Sequence, residues 1–387
     1  MANAEDLETL EKAANLKAAG FRRDAVDLCQ SLVRDNPEFF EAHAVKMEAL
    51  QYAEDGSVEE TFESQKFRPD LNSPGAAGLV EPTASSSLSD KFRVGYMALD
   101  FRASPARLGT HTARWLPAIA QHRPAPVQIS WHNNCSVGIP EVDYFIGDPI
   151  STPSDGPEPF LERVIRKPCW TIQAFPYEIP DIDTLPVQAD DYVTFGSFNN
   201  PIKITTRVNS LWSRVLQQVP NSRLLLKLYD IYTNTVLTER IAKGFTDHGI
   251  AADRIQFLDS TENRGQHLAQ YKRIDIAIDR FPFSGATTTF EALLMGVPVI
   301  SLLGDRFVAR ISSSLLHSVG LQAFSVTSEE AYISRATELA GNVDFLARIR
   351  GALWPMLQAS RRFARNLERV YRAAWRMRQT KMAQLSQ

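Results

Sequence analysis

Between residues 192 and 318 the sequence alternates short β-branched or leucine-rich runs with amphipathic segments, and this alternation restricts the fold more than any other feature. Candidate strands are Tyr192–Phe198, Leu224–Leu228, Arg254–Leu258, Ile274–Ile278 and Val297–Leu303. Apolar residues at helical spacing predict helices over 207–218, 235–248, 263–272, 287–295 and 307–318. Strands separated by helices cannot pair through tight hairpins, so they must lie parallel, with the helices covering the sheet. Two more strands are expected upstream, Phe92–Met97 and Val127–Trp131. The fold class is therefore α/β, with a doubly wound parallel sheet in the C-terminal half.

The flanks read differently. Residues 5–51 carry Leu7, Leu10 and Leu16 at helical spacing, a turn at Gly20, and then Ala25, Val26, Leu28, Leu32 and Val33, with Asn36-Pro37 starting a third helix. The spacing Leu16-x3-Gly20-x4-Ala25, closed by Pro37, resembles one tetratricopeptide repeat, and a plain helical hairpin fits it equally. Residues 68–90 are rich in Pro, Gly, Ser and Ala, the composition of a linker. The tract 343–380 is helical, with an apolar stripe of Phe363, Leu367, Val370, Tyr371 and Ala374. The expected division is a helical segment at 1–67, a linker at 68–91, a small α/β lobe at 92–185, a larger one at 186–342, and closing helices at 343–387.

Composition excludes several classes. A formal charge of −3 over 387 residues gives no basic surface for nucleic acid. No apolar run is long enough to cross a bilayer, and the start MANAEDLETLEK is acidic and unlike a signal peptide. Cys29, Cys135 and Cys169 lie far apart without metal-ligand spacing, consistent with reduced thiols in a cytoplasm. The expectation is a cytoplasmic protein without nucleic-acid or membrane partners.

Three segments could carry chemistry. In 274–300 a strand ends in Asp279 and a Pro/Gly loop, and the loop runs into Thr287-Thr288-Thr289 at the start of an Ala/Leu-rich helix. Small residues there, including Gly285, let backbone N–H groups approach an anion, and the helix dipole favours phosphate. Glu291, one turn further on, could accept from ribose hydroxyls. The same residues also describe an ordinary strand–turn–helix with threonine caps. In 195–207, Asn199, Asn200 and Lys203 follow a strand, at the sheet edge where open α/β folds bind ligands. Lys203 could neutralise a diphosphate; an Asn-Pro turn beside a solvated lysine is the plain alternative. Arg264 and His267 sit at i, i+3 and could touch a base or ribose, although a lone helical histidine is commonly structural. Walker and GxGxxG spacings are missing, which argues against a P-loop or dinucleotide site.

Taken in order and spacing, these segments resemble the O-GlcNAc transferase family, the SPINDLY-type glycosyltransferases. The resemblance rests on FGSFNNPIK, on Arg264-x2-His267, and on Asp279-x3-Phe283-x-Gly285-x-Thr287-Thr288-Thr289-x-Glu291 with the following ALLMGVPV. Arg123-Pro124-Ala125-Pro126-Val127-Gln128 with Trp131 and Asp143-Tyr144, and residues 350–377, agree with it. The resemblance implies a GT-B-like architecture of two Rossmann-like lobes and a nucleotide-sugar donor, UDP-GlcNAc foremost with a GDP-fucose type open. It implies metal-independent transfer of N-acetylglucosamine to Ser or Thr of a protein or peptide, with no cofactor. Asn199, Asn200, Lys203, Arg264, His267, Gly285, Thr287, Thr288 and Glu291 fall at donor positions, Lys203 also being the catalytic group that stabilises the leaving diphosphate. The one D-x-D, Asp181 to Asp183, lies in a proline-rich stretch rather than after a strand.

The sequence also departs from the family. Only residues 102–122 separate the strand RVGYMALDF from Arg123-Pro124, so the N-terminal lobe is reduced. Ser104-Pro105 stands where the family has a His-Pro pair, and His132-Asn133-Asn134-Cys135 replaces a glycine-rich loop. His111, within Thr110-His111-Thr112, is the remaining candidate to orient or deprotonate an acceptor. The expectation is weakened transfer, the alternative a non-catalytic nucleotide- or partner-binding protein. The stripe of the C-terminal helix is expected to bury Phe363, Leu367 and Tyr371 against 92–130.

Overall fold

The computed structural model describes residues 3–66, 120–131, 135–168, 179–182, 184–227, 231–233, 235–359 and 363–385. The expected linker, the expected strand Phe92–Met97, Ser104-Pro105 and His111 lie outside the described residues.

Four helices open the chain: α1 (Ala4–Ala19), α2 (Arg22–Asp35), α3 (Phe40–Tyr52) and α4 (Val58–Gln65). α1 starts at a reciprocal cap, with the Asn3 side chain accepting from the Asp6 N–H and the Asp6 carboxylate from the Asn3 N–H. It ends at Gly20, whose φ of 91° is the left-handed conformation a helix stop needs.

A first parallel sheet has the order β1 (Ile129–Ser130), β2 (Tyr144–Gly147), β3 (Arg163–Arg166). Its loops hang on the Arg123 and Asp143 noted in the sequence. Arg123 Nη2 lies 2.9 Å from Asp143 Oδ1, and the second carboxylate oxygen accepts the Gln128 N–H at 2.9 Å.

The second sheet is the larger, six parallel strands in the order β6-β5-β4-β7-β8-β9. They are β4 (Val193–Ser197), β5 (Ser222–Lys227), β6 (Ile255–Leu258), β7 (Ile276–Ile278), β8 (Val299–Leu302) and β9 (Ser325–Val326). Both sides of the central strands are buried, so they carry apolar runs without alternation. Phe195 pairs with Leu224 on one side and Ile276 on the other, and all three are fully buried. Each such side chain contributes about 1.5–3 kcal/mol of burial. The intervening helices are α5 (Val187–Asp190), α6 (Thr206–Gln218), α7 (Thr235–Thr246), α8 (Arg264–Ala269), α9 (Thr287–Leu294), α10 (Phe307–Ser318) and α11 (Glu329–Ala340). The order reverses between β4 and β7, which is where an open α/β sheet leaves a crevice at its carboxyl edge.

The closing tract holds two helices, α12 (Val343–Ala359) and α13 (Phe363–Leu385). α13 crosses to the first sheet, where Leu367 and Val370 are buried with Ile146 and packed by Ile129, Trp131, Ile165 and Tyr371. The partners therefore include β2 and β3 as well as the expected 92–130 stretch; the Phe363 side chain lies outside the described residues. β2 joins the two lobes through its period of two. Ile146 faces α13, while Phe145 meets Phe307 of α10 edge-on, 5.3 Å between ring centres. Truncation after Gly341 should expose both Ile146 and the helices' sites on the large lobe. An insoluble or non-cooperatively melting product is expected in a thermal scan; a soluble, sharply melting fragment would contradict this packing.

Candidate functional site

The loops after β4 and β7 meet at the reversal point, held by one carboxylate. Asp279, 1% exposed, accepts the Gly285 N–H at 2.9 Å and the Ser301 hydroxyl at 2.9 Å. The Asn199 amide donates to it at 3.3 Å, and its backbone carbonyl accepts the Tyr332 hydroxyl at 2.7 Å. Asn199 in turn accepts from the Thr288 hydroxyl, so both loops and the start of α9 share one network. Asn200 acts locally, where its side chain accepts from the Ile202 N–H at 3.1 Å and caps the short turn Pro201–Lys203.

Gly285 acts by its lack of a side chain. A Cβ there would lie 2.4 Å from Thr289 Oγ1, which is itself 2.7 Å from Ser312 Oγ and not free to retreat. Its N–H is taken by Asp279, so the glycine shapes the loop rather than offering that N–H to a ligand. Ala286, the residue before α9, supplies no side-chain cap. Thr287 and Thr288 sit half-buried at this helix start, where the dipole favours an anion.

Lys203 approaches from the β4 loop. Its Nζ lies 3.4 Å from the centre of the Phe283 ring and 5.7 Å from that of Tyr52, the two rings stacking at 5.1 Å. Burial, then repulsion from Arg280, holds its pKa well below the usual lysine value, against the pull of Asp279. Tyr52 belongs to α3, so the N-terminal helices reach the lysine directly.

Arg264, His267 and Glu291 form a second cluster. The Glu291 carboxylate, buried to 1%, is ion-paired with Arg264; His267 Nε2 lies 3.3 Å from it and the Tyr271 hydroxyl donates at 3.2 Å. The sequence suggests a Glu291 carboxylate presented to a ribose; instead the carboxylate is engaged by three neighbours and ties α8 to α9. His267 is pushed down to about 3 by burial and then by Arg264 and Lys227, so it is neutral at ordinary pH. Sequence reasoning misses Tyr271 and the organising role of Asp279; an acid at the end of a buried strand is the only signal for the latter.

Residues 184–370 match the profile of glycosyl transferase family 41. The large lobe belongs to that family. The chain is 34% identical over 277 residues to the tomato (Solanum lycopersicum) probable UDP-N-acetylglucosamine–peptide N-acetylglucosaminyltransferase SPINDLY, covering 69% of this chain and 29% of that protein. It is 27% identical over 275 residues to the Arabidopsis thaliana probable transferase SEC, covering 66% and 27%. The chain thus spans about three-tenths of the length of the curated relatives it matches. Among solved structures, a mutant of the Thermobaculum terrenum O-GlcNAc transferase superposes with a TM-score of 0.81 at 24% identity, over 97% of this chain and 85% of that one. That likeness, over both parallel sheets, shows a GT-B-like fold. No described helix is long and apolar enough to cross a membrane.

Two outcomes follow from this geometry. Gly285→Ala should lose about 1–3 kcal/mol, read as a lower denaturant midpoint, because the neighbours cannot yield; an unchanged midpoint would show a looser loop. His267 binds a proton near pH 6.5 when unfolded but only near 3 when folded. Its contribution is therefore full above 6.5 and lost as pH falls through that window. The stability difference between the wild type and His267→Gln should narrow on acidification; a pH-independent difference would contradict the buried neutral imidazole.

Proposed function

We propose that this chain transfers N-acetylglucosamine from UDP-GlcNAc to Ser or Thr hydroxyls of proteins, weakly and without a metal. The observation that carries the reading is the meeting of the β4 loop, which carries Lys203, with the start of α9, which carries Thr287 and Thr288 and has no side-chain cap, at the reversal point of a family 41 lobe. Glycosyl transfer of this kind asks the protein to stabilise charge developing on the departing diphosphate. Lys203, the threonine hydroxyls and the first-turn amides of α9 are the groups suited to it. His267 and Arg264, across from the β4 loop, are the groups suited to the base and ribose. His111 is the group proposed to orient or deprotonate the acceptor. A GDP-sugar donor differs only in the base and is an outcome of the same test. The relatives' names specify UDP-N-acetylglucosamine and peptide, which favours that donor and that acceptor class.

Burial lowers the Lys203 pKa in the free protein, and an arriving diphosphate raises it again. Nucleotide binding should therefore take up a proton and strengthen as pH falls. Calorimetry with UDP and GDP in EDTA, in two buffers of different ionisation heat, measures this directly. Lys203→Ala should weaken diphosphate binding by about 1.5–3 kcal/mol and abolish the uptake. Binding with neither change would remove Lys203 from the site, and no heat with either nucleotide at millimolar concentration would overturn the reading.

Turnover is expected to be slow. The reduced N-terminal lobe and Ser104-Pro105 in place of a histidine leave the acceptor side short of positioned groups, and one such group typically accounts for about 10²–10⁴ in rate. Slow peptide glycosylation, slower again in His111→Ala, is expected. Donor binding with no transfer would select the non-catalytic reading, and unchanged residual rates in His111→Ala would remove that histidine.

A further inference from the structure

The N-terminal helices and the large lobe meet over a set of cations that outnumber the acids beside them among the described residues. Arg280, directly after Asp279, is fully buried, and none of its three guanidinium nitrogens has a hydrogen-bond partner among the described residues. Arg22 of α2, 8% exposed, and Arg240 of α7 both donate to the Ile204 carbonyl, at 3.4 and 3.1 Å, so their guanidinium groups are adjacent. Arg22 Nε and Arg240 Nε and Nη2 are buried without partners among the described residues. The buried Tyr232 hydroxyl, also unpartnered there, and the Tyr52 ring complete the wall near Arg280. Arg240 lies tight against Gly20, where a Cβ would come within 2.7 Å of its Nη2, so even the turn between α1 and α2 is shaped to this cluster.

Burial lowers Arg22 and Arg280 only to about 10, which leaves both charged at neutral pH. The acids nearby do not balance them. The Asp279 carboxylate is committed to Gly285, Ser301 and Asn199, and exposed Glu54 accepts the Arg207 N–H. Arg22, Arg240 and Arg280 outnumber the one buried carboxylate beside them, Asp279, which is costly to fold, whereas a planar guanidinium fork with free donors suits tetrahedral oxyanions.

We propose that Arg22, Arg240, Arg280 and the Tyr232 hydroxyl form a phosphoryl-binding site between the N-terminal helices and the large lobe. The ligand class is a phosphate-type oxyanion carrying about two charges. Because Lys203 borders both this cluster and the expected donor site, the phosphoryl group comes either from a bound nucleoside diphosphate or from free phosphate. This inference does not rest on glycosyl transfer.

Thermal melts of the full chain in potassium phosphate, against potassium chloride of matched ionic strength, test it. Phosphate should raise the wild-type midpoint by a few degrees, rising with the logarithm of concentration. Arg280→Met keeps the side-chain volume and removes the charge. It should melt at least as high as wild type in chloride, since a buried unpaired charge is gone, and its phosphate response should fall at least tenfold in apparent affinity. Arg280→Lys should retain part of the response. Repeating the titration in saturating UDP separates the sources. Loss of the phosphate shift assigns the site to the diphosphate, and an additive shift assigns it to a second, free oxyanion. Equal phosphate responses in wild type and Arg280→Met, or no response in wild type, would overturn the proposal whether or not the chain transfers sugar.

Discussion

The Asp279 carboxylate is the point on which the site depends. A buried carboxylate is tolerable only when its oxygens are fully bonded, and here a backbone N–H, a hydroxyl and a side-chain amide provide those bonds. Each donor comes from a different strand end: the loop after β7, β8 itself, and the loop after β4. One acid therefore fixes the mutual position of two loops and a strand that sequence-local forces could not align. The Tyr332 hydroxyl on the Asp279 carbonyl adds α11 to the same point. The start of α9 and its threonines inherit their place from this arrangement.

The N-terminal helices are more than an appendage. Arg306 reaches from the large lobe to the carbonyls of Leu50 and Ala53 at 3.3 and 3.2 Å, which satisfies the end of α3 and brings Tyr52 onto Phe283. The ring pair then forms the surface over which Lys203 lies. A helical pair too small to bury both of its faces alone is completed by this contact.

Sequence reasoning reached the sheet because its signal is local. Phe195, Leu224, Ile276 and Ile300 sit in continuous apolar runs, and buried parallel strands require such runs. β2 and β3 escaped because four residues give no periodicity, and Arg163 and Arg166 disguise the ends of β3 as surface. α11 escaped among its acidic residues, although Tyr332, Ala336 and Leu339 do keep a buried face. At the site, residue types were legible but engagements were not. That Glu291 is shared by Arg264, His267 and Tyr271 depends on how α8 and α9 come together, a long-range fact absent from either segment. Arg280 was invisible for another reason: composition places arginine at the surface, whereas in the fold it is fully buried near Tyr52, Tyr232 and Tyr271.

The docking of the N-terminal helices also gives Lys203 its character. In water an ammonium group is held charged by its hydration, and moving it beside aromatic rings replaces hydration with a weaker quadrupole attraction. Burial, with Arg280 nearby, therefore lowers the Lys203 pKa. An anion beside the amine would pull the same pKa back up, so the positive charge is favoured most where an anion sits. The aromatic wall comes from α3 and from the loop that Asp279 organises, so the electrostatics of the lysine depend on the same two contacts as the geometry of the site.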